Sequence, residues 1–373
     1  MKTKVLLLSP IPPPVGGIAS WTLNILDYIE KYKFEDFHHQ NTAIKLRKIT
    51  SKGRAKRIFS GIFDSIRIVF DLIVNLAKYT PKSVHLTTSG SFALIKDLLI
   101  VLLCRILNVP IIIHFRFGRI PELFALNNWE WKLLCKVIKL SNFTIVIDKR
   151  SFFVLEKILP SHKIDLVPNP CSLDVEKIAK KEPKIYNRNE FIFVGHIIES
   201  KGVFELVEAI ANLEENIKLY LIGPVESSIK DKLKKIAITK KNGTWLLFEG
   251  VKNKNELLDL MQVSHGLIFP SYTEGFPNVV LEAMACGCPS IATDVGAIPE
   301  MLDPSGINPA GLCVPAKNIN ELKLSIQKLI KDEKLRENLS INGKSKILGN
   351  YTMNVIFRQY QNIWFNLNKK ISI

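Results

Sequence analysis

Cysteine is scarce and scattered: Cys104, Cys135, Cys171, Cys286, Cys288 and Cys313 are the only six in 373 residues, and the one close pair is spaced C-x-C. That spacing speaks against a zinc knuckle or a disulfide framework and for reduced thiols in a cytoplasmic protein. Long apolar runs are also missing. A bilayer-spanning helix needs ~20 predominantly apolar residues, and the most apolar stretch, Phe92 to Phe115, is interrupted by Lys96, Asp97, Arg105, Asn108 and Pro110. It divides instead into a buried helix near Ala93–Leu107 and a strand near Val109–His114. The apolar run Val5–Leu8 is too short for a signal-peptide core and reads as a first buried strand. There is no G-x-G-x-x-G, no Walker lysine behind a glycine loop and no Asp-x-Asp pair to hold a metal. Acid is in short supply: 35 Asp and Glu face 51 Lys and Arg, a net charge of +16.

What is present is ordinary globular material, 47% hydrophobic and 23% charged, which excludes a disordered chain and supplies more than one core. The charge is uneven. Residues 1–180 hold 27 basic against 14 acidic side chains, the remainder 24 against 21. The first half therefore faces something anionic: nucleic acid, a phosphorylated substrate or an acidic membrane surface.

Short β-rich runs alternate with helical patterns throughout, the signature of parallel sheets wound by βα units. In the first half they are Val5–Leu8, Ser83–Thr87, Val109–His114, Thr144–Ile147 and Ile164–Val167. In the second they are Glu190–Val194, Lys218–Ile222, Leu246–Phe248, Gly266–Phe269 and Pro289–Ala292. The densely charged stretch Asp174–Glu190 between them, without apolar period, reads as a boundary. The expected organisation is two Rossmann-like domains, 1–175 and 176–352, followed by an amphipathic helix in 353–373 with Ile356, Tyr360, Ile363 and Trp364 on one side. Ligands of such sheets bind where the strands end, so the turns after strands are where chemistry is sought.

Three of those turns carry candidate groups. Pro12-Pro13-Pro14-Val15-Gly16-Gly17 follows the first strand and precedes a helix, where free N–H groups favour a phosphate. After FIFVG, His196 and Lys201-Gly202 lie just before another helix, where a lysine can clamp a diphosphate. In PSYTEGFPNVVLEAMACGCP, Pro277 opens and Gly287 ends a helix near Asn278–Cys286. Glu274 then precedes that helix and Glu282 lies one turn inside it, placed to accept hydroxyl hydrogen bonds from one extended polyol ligand; the plainer alternative is a capping Glu274 and a solvent-facing Glu282. His114, at a strand end, is either a ligand-facing group or a satisfied core residue. Residues 54–79 mix bases with Ile58, Phe59, Ile62, Phe63, Ile66, Val69 and Phe70 at helical spacing, beside Lys45, Arg47, Lys48 and Lys52. That helix lies on an anionic bilayer or packs in the core.

The E-x7-E segment Glu274–Glu282, with FIFVGHIIESKG, LVPNPCSLD, the N-terminal glycine pair and IIIHFRFG, resembles the family 4 retaining glycosyltransferases of GT-B fold. The resemblance implies an α/β GT-B architecture in which the second domain binds a nucleoside-diphosphate sugar, UDP- or GDP-linked, and the first an acceptor glycan, lipid-linked as in bacterial surface-polysaccharide synthesis. It implies that Lys201 holds the diphosphate and Glu282 the ribose. Glu274, Gly275, Phe276, Pro277 and Asn278 would meet the donor sugar and its phosphate, Gly17 the diphosphate, and His114 the transferred sugar. No metal and no other cofactor is implied. One departure stands out: His196 replaces an arginine usual in the family, which implies donor affinity that is weaker, or pH-dependent, or made up by another cation such as Arg116 or Arg119. The resemblance further implies contact with an anionic membrane surface and no nucleic-acid partner. A nucleic-acid-binding protein, a same-fold epimerase or phosphorylase, and a glycosidase using the two glutamates are the competing classes.

Overall fold

The computed structural model describes residues 4–13, 16–44, 54–182, 186–240 and 242–371. Lys45, Arg47, Lys48 and Lys52 lie outside these, as do the side chains of residues 54–60 and 62. The chain forms two compact units, one of Met1–Asn169 with Ile356–Ile373, the other Pro170–Val355.

The first unit alternates β1 (Val5–Ser9), α1 (Gly17–Lys31), β2 (Phe37–Asn41), α2 (Arg54–Tyr79), β3 (Ser83–Thr88), α3 (Ala93–Ile106), β4 (Ile111–Phe115), α4 (Ile120–Leu126), α5 (Trp129–Leu140), β5 (Phe143–Val146), α6 (Lys149–Leu155) and β6 (Ile164–Leu166). Its sheet is parallel in the order β2-β1-β3-β4-β5-β6. β1, β3, β4 and β5 are buried along their whole length, and β1 and β4 accordingly read as near-continuous apolar runs rather than alternating ones. One sheet face sends Leu6, Leu8, Val84, Leu86, Ile111 and Ile113 into a core with Ile68 and Leu72 of α2, Ile100 of α3 and Leu134 of α5. The other face is partly polar: Ser9 bonds Thr22 of α1 at 2.6 Å, Thr87 bonds Ser9 at 2.8 Å, and His85 and His114 are fully buried there. Residues two apart on a strand share a face, so Leu7, His85, Thr87, Ile112 and His114 line up in register.

The second unit holds α7 (Leu173–Ala179), β7 (Glu190–Val194), α8 (Val203–Ala211), β8 (Lys218–Ile222), α9 (Ser227–Lys240), β9 (Leu246–Gly250), α10 (Lys254–Val263), β10 (Gly266–Phe269), α11 (Asn278–Cys286), β11 (Ser290–Thr293), α12 (Ile298–Leu302), β12 (Gly311–Val314), α13 (Ile319–Lys331) and α14 (Glu333–Asn350). Its sheet runs β12-β11-β10-β7-β8-β9, again parallel. The last helix, α15 (Met353–Ile371), buries Ile356, Tyr360, Ile363 and Trp364, and from Ile356 onward it belongs to the first unit.

Three features differ from the sequence reading. The charged stretch after Asp174 is not a bare linker: Leu173–Ala179 is a helix whose Val175 and Ala179 are buried in the second unit, two apolar residues being too few to show a period. Strands β2 and β12 also escaped it. β2 is FHHQN, whose polar side chains are held by backbone carbonyls, Gln40 donating to that of Ile68 at 2.8 Å and His39 meeting that of Ser9 at 2.8 Å. In β12 only four residues pair with β11.

Candidate active site

In the second unit the chain runs β7, β8, β9 to one side of β7 and then returns to place β10, β11 and β12 on the other. The point where the order reverses lies between β7 and β10, and ligands of open parallel sheets bind at the strand ends there. The loops leaving these two strands carry the residues singled out by spacing. After β7 comes a single 3-10 turn, Glu199–Lys201, then Gly202 at φ +68° and α8. A Cβ at Gly202 would overlap the Pro270 carbonyl at the exit of β10, so only glycine lets the two loops touch. Tyr272 N–H donates to the Ser200 carbonyl at 3.0 Å and fixes that contact.

The consequence is an ion pair: Lys201 Nζ lies 2.5 Å from Glu274 Oε1, with both side chains largely buried. The ammonium also sits 5.6 Å from the centre of the Phe269 ring. One of its three protons serves Glu274, which leaves two for another anion. Beyond Glu274, the Gly275 carbonyl accepts the Ala297 N–H at 2.8 Å, and Gly296, at φ +55°, could carry no Cβ without overlapping the Glu274 and Gly275 carbonyls. Thr293 Oγ1 donates to the Ser271 carbonyl at 2.5 Å from beneath. The loop is thus held on both sides. Pro277 is the N-cap of α11 and offers no side-chain cap, and the first turn contains no acid. The positive end of that helix accordingly lacks a local carboxylate.

Glu282 lies one turn inside α11 and is half-buried. Burial pushes its carboxyl up to about 7, against the pull of the Lys254 ammonium at the start of α10. It is a carboxyl poised between acid and anion at neutral pH. Lys254 itself donates to Ser172 Oγ at 2.7 Å. Tyr272, not noticed in the sequence, donates to Glu205 Oε1 at 2.6 Å and lies under Lys317, 4.6 Å from its ring centre. His196 is exposed just past β7.

In the first unit the strand order reverses between β1 and β3, and Gly17 begins α1 immediately after the β1 loop, with Gly16 extended as its N-cap. A Cβ at either glycine would meet nothing, so close approach to another part of this unit does not require them. His114 is completely buried: Nδ1 is 3.1 Å from His85 Nε2, Nε2 is 3.3 Å from Arg116 Nη1, and the Trp21 ring stands edge-on at 5.4 Å. Desolvation first, then the Arg116 charge and His85, hold His114 neutral, well below the usual imidazole range. Arg119 is ion-paired with Glu130 at 2.8 Å. Arg116 remains a cation, lowered by burial to about 10, with its guanidinium 4.3 Å from the centre of the Trp21 ring.

The reversal point of this parallel sheet thus bears a largely buried Lys–Glu pair, a helix N-terminus and a second glutamate one turn on, groups able to donate to an anion and to accept from hydroxyls. Residues 174–346 match the family model of glycosyl transferases group 1. The chain is 36% identical over 163 residues to an uncharacterized glycosyltransferase of Methanocaldococcus jannaschii, 43% of this chain and 44% of that protein. It is 29% identical over 197 residues to the capsular polysaccharide biosynthesis glycosyltransferase CapM of Staphylococcus aureus, 52% and 50% of the two. The match spans about half the length of these relatives. In fold, Anabaena HepE, solved in complex with UDP, has a TM-score of 0.74 over 97% of this chain and 100% of that one, at 16% identity. The α/β architecture with two Rossmann-like sheets expected from the sequence is therefore the one observed, that of GT-B glycosyltransferases.

Of the residues named from sequence, Lys201 and Glu274 are in contact, Gly275 to Glu282 continue from them on one loop and helix, and His196 projects from the neighbouring strand end. His114 and Gly17 belong to the other unit. His85 and Trp21, which touch His114, and Trp364, which bonds His85, were not foreseen as its surroundings. The available signal was a histidine within the buried strand SVHLTT, where an unpaired polar group is costly.

Proposed function

We propose that this chain is a retaining glycosyltransferase that moves a sugar from a nucleoside-diphosphate donor, UDP- or GDP-linked, to a lipid-linked glycan acceptor. The observation that carries this reading is the Lys201–Glu274 pair at the β7/β10 reversal point, beside the N-terminus of α11. In this proposal the two remaining protons of Lys201 and the α11 N–H groups bind the diphosphate, Glu282 accepts from the ribose hydroxyls and Glu274 from the sugar. The bond between the anomeric carbon and the phosphate oxygen breaks with its electron pair leaving on the diphosphate, where Lys201 and the helix end offset the growing charge. The acceptor hydroxyl oxygen attacks from the same face and its proton passes to the departing phosphate oxygen, which retains the configuration. Fixed cations supply the charge neutralisation, so no metal is required. His196, exposed just past β7, adds a donor at the same strand end as Lys201.

CapM is named for capsular polysaccharide biosynthesis and HepE was solved with UDP, which supports a glycan product and makes UDP the first donor to test. A lipid-linked acceptor and a peripheral position on the inner face of the membrane are supported by exposed apolar residues on α2 and α3 beside the basic excess of the first 180 residues. Among the described residues no helix is long and apolar enough to cross a membrane.

Thermal-shift titration with UDP and GDP, with magnesium or with EDTA, followed by turnover of the matching sugar nucleotide, tests the proposal. One nucleotide family should raise the melting point equally in both conditions, by ~2.7 kcal/mol of stabilisation at a hundredfold excess over Kd. Lys201→Ala should lose most of that shift, whereas Glu274→Ala should keep part of it and lose transfer by at least about a hundredfold. Full turnover in Glu274→Ala, or consumption of the sugar nucleotide without any acceptor, would remove the reading.

A further inference from the structure

The hydrogen bonds around His114 fix more than its position. Indole Nε1 can only donate, and that of Trp364, on α15, lies 2.9 Å from Nδ1 of His85. His85 must therefore present a bare nitrogen there. Burial, reinforced by the Arg116 charge, pushes His85 down to about 3, so the ring is neutral and its single proton is on Nε2. Nε2 faces Nδ1 of His114 at 3.1 Å and donates to it. His114 is neutral as well, so its own proton is on Nε2.

That nitrogen then meets a second donor. Arg116 Nη1 is 3.3 Å from His114 Nε2, and two N–H groups cannot bond one another. With both nitrogens protonated, each needs an acceptor at the end of β4. Nε of the same arginine is buried without a hydrogen-bond partner, while the Tyr360 hydroxyl lies against another part of the guanidinium. The rings of Trp21 and Tyr360 close on His114 at 5.4 and 5.8 Å and prevent it from swinging to another partner.

We infer that Trp364 and His85 are positioning residues: a relay from α15 through β3 that locks His114 as its Nε2–H tautomer, so that it donates, beside Arg116, to an oxygen of the bound ligand. His114 on this reading is a hydrogen-bond donor and never a base. The inference rests on the proposed transfer reaction and on the expectation, implied by the family resemblance, that His114 meets the transferred sugar, and it adds the residues that decide what His114 can offer.

Without the Trp364 donor the relay reverses. His85 is released to carry its proton on Nδ1 and to accept from His114 Nδ1–H, which leaves His114 Nε2 bare to accept from Arg116. The donor pair collapses into an internal hydrogen bond.

Long-range proton–nitrogen correlation spectra of histidine-labelled full-length protein read this directly, with His85→Gln and His114→Gln providing assignments. In the wild type, His114 should show a protonated Nε2 and a bare Nδ1, and Trp364→Phe should exchange the two. Turnover of the sugar nucleotide should fall on the order of tenfold or more in kcat in Trp364→Phe, with the nucleotide-induced melting shift unchanged. His85→Gln should retain activity, because its carboxamide can still accept from Trp364 and donate to His114, whereas His85→Leu should not. A proton on Nδ1 of wild-type His114, or a tautomer indifferent to Trp364→Phe, overturns the relay. A reversed tautomer with undiminished kcat overturns its positioning role. If the wild type turns over no sugar nucleotide, the functional reading fails while the spectra still decide the relay.

Discussion

Glu282 carries a testable electrostatic signature. Its carboxyl titrates near 7 in the folded chain against an ordinary 4.5, because burial disfavours the anion more than Lys254 favours it. Between those two values the folded state binds more protons than the unfolded state, so this residue makes stability fall as pH rises from about 4.5 to 7. The full span is at most about 3 kcal/mol. Glu282→Gln removes the titration. The variant should melt close to the wild type at pH 4.5 and several degrees above it at pH 8, as followed by circular dichroism at both values. A variant no more stable than wild type at pH 8 would show that the carboxylate is well solvated. On the proposed function the same charge balance gives Glu282 a reason to be destabilising in the free protein: a carboxyl that is to accept from ribose hydroxyls would be most useful as an anion, and bound hydroxyls would restore the solvation that burial removed.

The two loops of the second unit work as one element because glycines let them touch. Gly296 sits at φ +55° with its Cα against the Glu274 and Gly275 carbonyls, and Gly202 at φ +68° sits against that of Pro270. Gly296→Ala adds both a left-handed strain and an overlap with backbone, and should cost about 1–3 kcal/mol. Because the overlap is with the Glu274 peptide, nucleotide affinity should fall along with stability, measured by the melting shift with UDP. Gly250→Ala is the control: it is also left-handed, at φ +67°, but its Cβ would meet nothing, so stability alone should change. This element was legible in the sequence because it is local. Glu274, Pro277, Glu282 and Gly287 fall within fourteen residues, and Pro277 and Gly287 mark α11 at both ends where the structure has them. The ion pair was less so: Lys201 and Glu274 were assigned separate partners, since nothing in one dimension shows that a glycine against Pro270 brings them together. The His85–His114–Trp364 relay was invisible for the same reason, 279 residues separating its ends. Strand β2 was missed because its polar side chains are satisfied by backbone carbonyls of α2 and β1 rather than showing apolar alternation.

At the scale of the whole chain, the basic excess and the apolar surface lie in the same unit. Periodicity alone left α2 undecided between core and membrane. The structure divides the helix between two faces: Ile68, Leu72 and Leu76 are buried in the core, while Phe63, Ile66 and Phe70 are 60%, 60% and 64% exposed. Next to it in chain order, Phe92, Ile95 and Leu99 form a second exposed row at helical spacing, and Phe92 packs its ring 5.4 Å from that of Trp129. Apolar rows of this kind gain about 1.5–3 kcal/mol per large side chain when taken out of water, and a basic surface adds attraction to anionic headgroups that salt screens within ~10 Å at 0.1 M. The protein should therefore sediment with vesicles containing anionic lipid, more weakly with neutral ones, and less at high salt. Phe70→Ser and Phe92→Ser should each lower the partition coefficient about tenfold on anionic vesicles. Neither side chain is buried, so nucleotide binding and melting point should stay close to wild type. Equal partition of wild type and the double variant would mean that the apolar rows do not enter the bilayer, and loss of that partition in salt would then assign the contact to charge alone.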